Sequence, residues 1–165
     1  MSFKSITYLL FFLSLSSGLL GQSDRIIDVL DMDKLKSMVQ SLPNNKEIKL
    51  INFWASWCIP CMEELPYFEK IKQQFPELKI NLINLDFEKD VKTKVMKIID
   101  HRYEGCAISR IQGLSADDWM PVVNSEWSGS IPATLIIKGG KKEFKEGKFK
   151  DFEEIKNLLI NLQNQ

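Results

Sequence analysis

Apolar residues recur along the chain at two spacings, and these spacings predict an alternation of helices and strands. Segments whose apolar residues fall three or four positions apart are predicted helices, namely 33–42, 62–75, 86–100, 115–126 and 152–162. Short apolar runs rich in isoleucine, leucine and phenylalanine are predicted strands, namely 47–55, 78–87, 106–111 and 133–138. Helices and strands that alternate in this way favour a sheet with a parallel half covered on both faces.

A hairpin is predicted near the end of the chain. Gly139 and Gly140 form a two-residue turn signal, and "KEFKEG" (142–147) would pair back on the strand before it. Ser115, with Asp118 three residues later, is typical of a weak capping box. The chain is thus predicted to be α/β, with a mixed central sheet flanked by helices and a short helical insert before the final hairpin.

The first residues differ from this pattern. Lys4 is the only charged residue among the first 23, and an apolar run with interspersed serines spans 6–20. This arrangement is typical of a secretory signal peptide, because the run is shorter than the roughly 20 apolar residues of a membrane helix. We expect cleavage after Gly18 or Gly21, and the alternative is an uncleaved anchor helix. The predicted division is a signal peptide, 1–21, and one domain, 22–165.

Charge balance and cysteine count narrow the possible functions. The chain has 22 basic and 22 acidic residues, so it lacks the basic field that holds nucleic acid. Its three cysteines are far too few for a disulfide-built scaffold. The fold must therefore depend on a hydrophobic core, for which 44% hydrophobic residues are sufficient.

Two of the cysteines stand at a predicted strand-to-helix junction, in "FWASWCIPC" (53–61). Cys58 follows the strand and opens a helix, where unpaired N–H groups and the helix dipole stabilise a thiolate. The spacing of two residues brings Cys61 within bonding reach of Cys58. The outer thiolate could attack a disulfide of another protein, and the inner thiol could resolve the mixed disulfide.

Other interpretations of this cysteine pair stay open at this point. A zinc site needs four ligands, which Cys58, Cys61, His101 and Cys106 could supply. The pair could instead form a purely structural disulfide, although so small a loop adds little stability. It could also stay reduced and inert. Cys106 by itself is predicted to be a buried, small hydrophobic residue.

The segment "INFWASWCIPCMEELP" (51–66) resembles the active-site segment of the thioredoxin superfamily, and more closely that of the TlpA/ResA-like exported thiol-disulfide oxidoreductases of bacteria. A second segment, "WSGSIPATLII" (127–137), resembles the same family around its cis-proline. The resemblance runs from about Lys46 to the C-terminus. It implies a thioredoxin fold with an insert over roughly 102–129.

The resemblance also implies roles for single residues near the cysteine pair. Cys58 matches the family's nucleophile, and Cys61 matches its resolving cysteine. Trp57 matches the aromatic residue that flanks the pair. Pro132 matches the cis-proline, and Ile131 matches the residue whose backbone pairs with a bound substrate strand.

The same resemblance implies that Glu64 takes part in proton transfer at the cysteine pair. Glu64 matches the acidic residue proposed to manage protons near the pair in the ResA-like branch, and the alternative is a solvated surface residue. Asn52 stands where ordinary thioredoxins have a buried aspartate, which moves proton handling onto Glu64. Pro66 matches the proline that kinks the helix after the cysteines.

The activity implied is that of an enzyme that reduces disulfides of exported proteins. Apocytochromes are typical clients of the family, and a membrane thiol carrier supplies the electrons. We expect no cofactor, a monomer, and a periplasmic or otherwise exported location in a bacterium. The alternatives are disulfide formation or isomerisation, because redox potential sets the direction, and a redox-inert module that holds zinc.

Overall fold

The computed structural model describes residues 26–40 and 47–164. The predicted signal peptide, 1–21, and the last two residues of the first predicted helix, 41–42, lie outside the described residues.

The described strands form one mixed sheet in the order β1-β4-β3-β2-β5-β6. The strands are β1 Asp28–Leu30, β2 Ile48–Trp54, β3 Lys79–Asn84, β4 Ala107–Ile111, β5 Ala133–Lys138 and β6 Lys141–Glu146. Strands β1, β4, β3 and β2 run parallel, whereas β5 and β6 add an antiparallel half beside β2. The predicted mixed sheet is confirmed.

Helices cover both faces of this sheet, as the alternating pattern predicts. The helices are α1 Met32–Val39, α2 Ile59–Gln74, α3, α4 Ala116–Val123 and α5 Phe152–Gln163. Helix α3 consists of Glu88–Asp90, a π-helical turn Val91–Val95 and Met96–Ile99. Pro66 lies inside α2 and lacks the N–H that would bond the Met62 carbonyl one turn before it.

The central strand β2 separates two hydrophobic cores. Leu50 and Trp54 face the layer of α2, α3 and α5, whereas Ile51 and Phe53 face the layer of α1 and α4. A strand that is covered on both faces reads as a continuous apolar run, which is why "LINFW" shows no polar alternation apart from Asn52. The buried Asn52 is therefore the exception that needs a polar partner.

Aromatic rings fill the core on the α1/α4 side. The Phe53 ring lies 4.8 Å from the Trp127 ring and 5.7 Å from the Trp119 ring, between centroids. The Trp127 ring also lies 5.5 Å from the Phe144 ring of β6. This cluster ties the insert that carries Trp119 and Trp127 to the central strand.

The structure differs from the sequence-based prediction at two places. The sequence pattern does not predict β1, because this three-residue strand exposes two of its side chains and has too little periodicity to detect. The Ser115 capping box is wrong, since the Ser115 side chain makes no capping hydrogen bond. The Asp118 amide instead donates to the Ser115 backbone carbonyl at 3.1 Å, so the hydroxyl is not needed there.

None of the helices formed by residues 26–40 and 47–164 combines the length and the apolar character needed to cross a bilayer.

The aromatic core gives a stability prediction. Phe53 is 0% exposed, so Phe53→Ala leaves a cavity between two tryptophans and should lower the free energy of unfolding by about 3–5 kcal/mol. Phe87→Ala is the control, because Phe87 is 71% exposed and its loss should change stability by less than about 0.5 kcal/mol. Urea denaturation measures both, and equal losses in the two variants would contradict this core.

Candidate active site

Cys58 and Cys61 form a disulfide at the amino end of α2, with an S–S distance of 2.05 Å. Cys58 is the N-cap of this helix, and the Cys61 amide donates to the Cys58 sulfur at 3.2 Å. An amide of the first helical turn has no carbonyl partner within the helix, so it is available to the sulfur. On reduction, the same amide and the helix dipole favour a thiolate at Cys58.

Sheet geometry brings the second matched segment to the disulfide. Strand β5 runs antiparallel to β2, with Ala133 opposite Phe53, so the loop before β5 lies beside the end of β2. The Ile131–Pro132 peptide bond is cis. The Ile131 carbonyl oxygen lies 3.6 Å from the Cys58 sulfur. Cys58, Ile131 and Pro132 are therefore brought together, although more than 70 residues separate them in the sequence.

Exposed apolar side chains flank the disulfide. Trp57 is 59% exposed and Ile59 is 74% exposed, on either side of Cys58. Phe87, 71% exposed, follows β3 at the same edge of the sheet. The sequence pattern places Phe87 in the strand 78–87, but β3 ends at Asn84, so Phe87 is in the connecting loop.

A buried carboxylate that sequence reasoning misses holds the loop before Cys58. Asp86 is 6% exposed and accepts hydrogen bonds from the Ser56 amide at 2.7 Å and from the Ser56 hydroxyl at 2.5 Å. The Asn84 side chain donates a further bond to it at 2.7 Å. Asp86 thereby joins the loop after β3 to the turn that carries Trp57. An acidic residue at the end of an apolar run is ordinarily solvated, so the sequence carries no signal that Asp86 is buried.

Glu64 is buried beneath the disulfide helix, with 0% exposure, so the surface interpretation of this residue is wrong. One carboxyl oxygen accepts from the Asn52 side chain at 2.9 Å, and the other accepts from the Phe149 amide at 2.7 Å. Asn52 also donates to the Thr134 hydroxyl at 3.0 Å. These bonds link β2, α2, β5 and the loop before α5.

Burial raises the pKa of the Glu64 carboxyl to about 7, because the ionised form loses its hydration. The hydrogen bonds from Phe149 and Asn52, and the positive charges of Lys145 and Lys148, favour the ionised form and limit this rise in pKa. Glu64 therefore changes its charge near neutral pH.

The other residues proposed as zinc ligands lie elsewhere in the fold. Cys106 is buried at 7% exposure, as predicted, and the His101 side chain is 72% exposed. Within 26–40 and 47–164, no group of three or more histidine, cysteine, aspartate or glutamate side chains is placed to hold a metal ion.

The raised pKa of Glu64 predicts a pH-dependent stability. The folded protein holds this proton more tightly than the unfolded chain, whose carboxyl has its ordinary pKa of 4.5. The resulting stabilisation, on the order of 3 kcal/mol, is complete below pH 4.5 and is lost as the pH rises through about 7. Glu64→Gln cannot ionise, so it should not show this pH-dependent loss of stability. Between pH 5 and pH 8, urea denaturation should show the unfolding free energy of the parent falling relative to that of the variant.

Glu63→Gln is the matched control, because Glu63 is the neighbouring residue and its side chain is 56% exposed. The account of Glu64 fails if Glu64→Gln and the parent show the same change in unfolding free energy with pH.

Comparison with known proteins places the chain in a family. The family model described as Thioredoxin matches residues 27–101. The chain is 30% identical over 83 residues to a "Thioredoxin H-type" of Fagopyrum esculentum, a match that covers 48% of this chain and 72% of that protein. It is 27% identical over 94 residues to "Thiol-disulfide oxidoreductase ResA" of Bacillus cereus, covering 55% of this chain and 49% of that protein.

The bacterial relatives are matched over only part of their length, between 28% and 49% for three of them. Among solved structures, a putative thiol:disulfide interchange protein DsbE from Chlorobium tepidum superposes with a TM-score of 0.56 at 18% identity. That superposition covers 72% of this chain and 82% of the other chain, and it shows a shared fold. The chain belongs to the thioredoxin superfamily.

Proposed function

We propose that this protein is an exported thiol-disulfide oxidoreductase that reduces disulfides of extracytoplasmic proteins. The observation that carries the proposal is the Cys58–Cys61 disulfide at the start of α2, with the Ile131 carbonyl 3.6 Å from the Cys58 sulfur. A disulfide that links two residues three apart closes too small a loop to add much stability, so redox exchange explains it better than a structural role does.

The reaction needs only the two cysteines and a client disulfide. In the reduced protein, the Cys58 thiolate attacks one client sulfur, and the other client sulfur leaves as a thiolate. The Cys61 thiolate then attacks the Cys58 sulfur, which closes the intramolecular disulfide and releases the second client sulfur. Two electrons pass to the client, whose two sulfurs take up as many protons as Cys58 and Cys61 lose.

Cys58 is proposed as the attacking residue because it is the outer one, with 6% exposure against 1% for Cys61. The helix N-terminus supports the same assignment, since it favours the thiolate at the N-cap position. Cys61 is proposed as the resolving residue because its buried sulfur is placed to bond the Cys58 sulfur.

Glu64 is proposed to exchange a proton with the cysteine pair. It lies three residues after Cys61 on α2, so the two side chains occupy the same face of the helix. A carboxyl whose pKa is about 7 can both take and give a proton at neutral pH. The Asn52 bond at 2.9 Å keeps the carboxyl oriented in either protonation state.

Client binding is assigned to Trp57, Ile131 and Pro132. Trp57 offers an exposed aromatic surface next to Cys58, which suits the apolar residues of an unfolded client. The Ile131 backbone lies beside the Cys58 sulfur, where an extended client strand could pair with it. Apocytochromes are the proposed clients, and a membrane thiol carrier is the proposed electron donor.

The proposed trapping experiment separates the roles of the two cysteines. Cys61→Ser lacks the resolving thiol, so the mixed disulfide with the client should accumulate as covalent complexes on non-reducing gels. Cys58→Ser should accumulate none, because the inner Cys61 cannot reach a client sulfur. Cys106→Ser is the control and should behave like the parent, since Cys106 is buried away from the pair.

Equal trapping by Cys58→Ser and Cys61→Ser would show that the roles are misassigned. If neither variant traps a client and the parent protein binds zinc tightly, the chain is a zinc-holding module instead.

Export is tested by the mass of the protein recovered from an exporting host. The single positive charge at Lys4 and the apolar run 6–20 support removal of the signal, so the mature chain should begin between Leu19 and Ser23. An intact Met1 in the membrane fraction would instead support the uncleaved anchor.

A further inference from the structure

Glu146, the last residue of β6, contacts the loop that precedes the cis-proline. Its carboxylate accepts hydrogen bonds from the Ser130 amide at 3.0 Å and from the Ser128 amide at 3.4 Å. The Ser128 hydroxyl donates to the same carboxylate. The pairing of β6 with β5 places Glu146 opposite Ala133, so the side chain reaches the loop directly before β5.

A second anchor holds the same loop from the core. The indole N–H of Trp127 donates to the Ser130 carbonyl at 2.9 Å. Trp127 is only 6% exposed and is packed against Phe53 and Phe144, so its indole is held in place. Both backbone groups of Ser130 are thus engaged, whereas neither anchor uses the backbone of Ile131.

The residues that follow are fixed by the same strand. The Gly147 amide, one residue after Glu146, donates to the Pro132 carbonyl at 2.8 Å. Ile131 therefore lies between two anchored residues, with its carbonyl 3.6 Å from the Cys58 sulfur. Ser130 and Pro132 set the position of the backbone that faces the disulfide.

We infer that Glu146 is a positioning residue for client recognition: it fixes Ser130 so that the Ile131 backbone is presented to an extended client segment beside Cys58. The inference rests on the proposed function and goes beyond it, because it assigns recognition of polypeptide clients to a residue that touches neither cysteine. A client without a peptide backbone should not depend on Glu146.

The charge of Glu146 suits this role. The hydrogen bonds from the Ser128 hydroxyl, and from the Ser130 and Ser128 amides, lower the pKa of this carboxyl below its ordinary value. It therefore accepts these bonds as a carboxylate at neutral pH, and hydrogen bonds to an ionised acceptor are the stronger ones. An exposed edge-strand glutamate that served only solubility would need none of these partners.

The experiment compares two disulfide substrates in the full-length protein. The first substrate is insulin, whose disulfides lie in a polypeptide. The dithiol form of Glu146→Ala should reduce it with a kcat/KM about fivefold lower than that of the parent. It should reduce 5,5′-dithiobis(2-nitrobenzoic acid), a small aromatic disulfide without a backbone, at the parent rate. Glu146→Gln retains an accepting oxygen and should recover part of the insulin activity.

Glu143→Ala is the matched control on the same strand, because the Glu143 side chain is exposed and forms no hydrogen bond or ion pair within the described part of the chain. It should match the parent on both substrates. Amide hydrogen exchange gives a second measurement, in which the Ser130 amide should exchange faster in Glu146→Ala than in the parent. Urea denaturation of each variant checks that the fold is retained.

The outcomes are distinguishable. A parent protein that reduces neither disulfide overturns the proposed function, and the inference falls with it. If the parent is active and Glu146→Ala loses activity on both substrates equally, the inference is overturned but the proposed function is not. The same holds if the variant keeps full activity on both substrates. Unchanged exchange of the Ser130 amide in the variant would also overturn it.

Discussion

The hydrogen bond between the Asn52 side chain and the Glu64 carboxyl, 2.9 Å long, is the contact on which the site depends most. Both groups are buried between the central strand and the helix that carries the disulfide, where an unpartnered polar group costs several kcal/mol. Their mutual bond therefore sets how α2 lies on β2. The bonds to Thr134 and Phe149 extend the same constraint to β5 and to the loop before α5.

Three carboxyl groups each anchor one of the loops around the disulfide. Asp86 accepts the Ser56 amide before Cys58, Glu146 accepts the Ser130 amide before the cis-proline, and Glu64 accepts the Phe149 amide behind the helix. In each case the carboxyl group accepts a hydrogen bond from the backbone N–H of a loop residue, and that N–H has no strand partner. Loops anchored in this way keep the sulfur and the Ile131 carbonyl together without a ligand present.

The sequence predicted much of this arrangement, because the strongest signals are local. The apolar runs and helical stripes located all the larger elements, and the cysteine spacing after a strand located the disulfide at the start of α2. Glu146 and Asp86 were not identified, because an acidic residue on an edge strand or in a loop has no periodic or spacing signal. Their partners lie 16 and 30 residues away, and only the pairing of the strands brings them together.

The burial of Glu64 is another feature that the sequence pattern alone does not predict. The residues around it, "CMEELP", place two glutamates side by side on α2, and helical periodicity alone does not tell which one faces the sheet. Glu63 pairs with Lys148 at the surface, whereas Glu64 reaches Asn52. The buried asparagine in an otherwise apolar strand was the one sequence signal that a polar partner must face it.

Equilibration of the Cys58–Cys61 pair with reduced and oxidised glutathione tests the central claim most directly. A pair that reduces client disulfides should have a potential at or below about −220 mV, so it should stay oxidised until glutathione is almost entirely reduced. The mass change on trapping free thiols with iodoacetamide reports the fraction reduced at each ratio. A potential near about −120 mV would identify an oxidant instead of a reductase. A pair that shows no change at any ratio would contradict a redox role altogether.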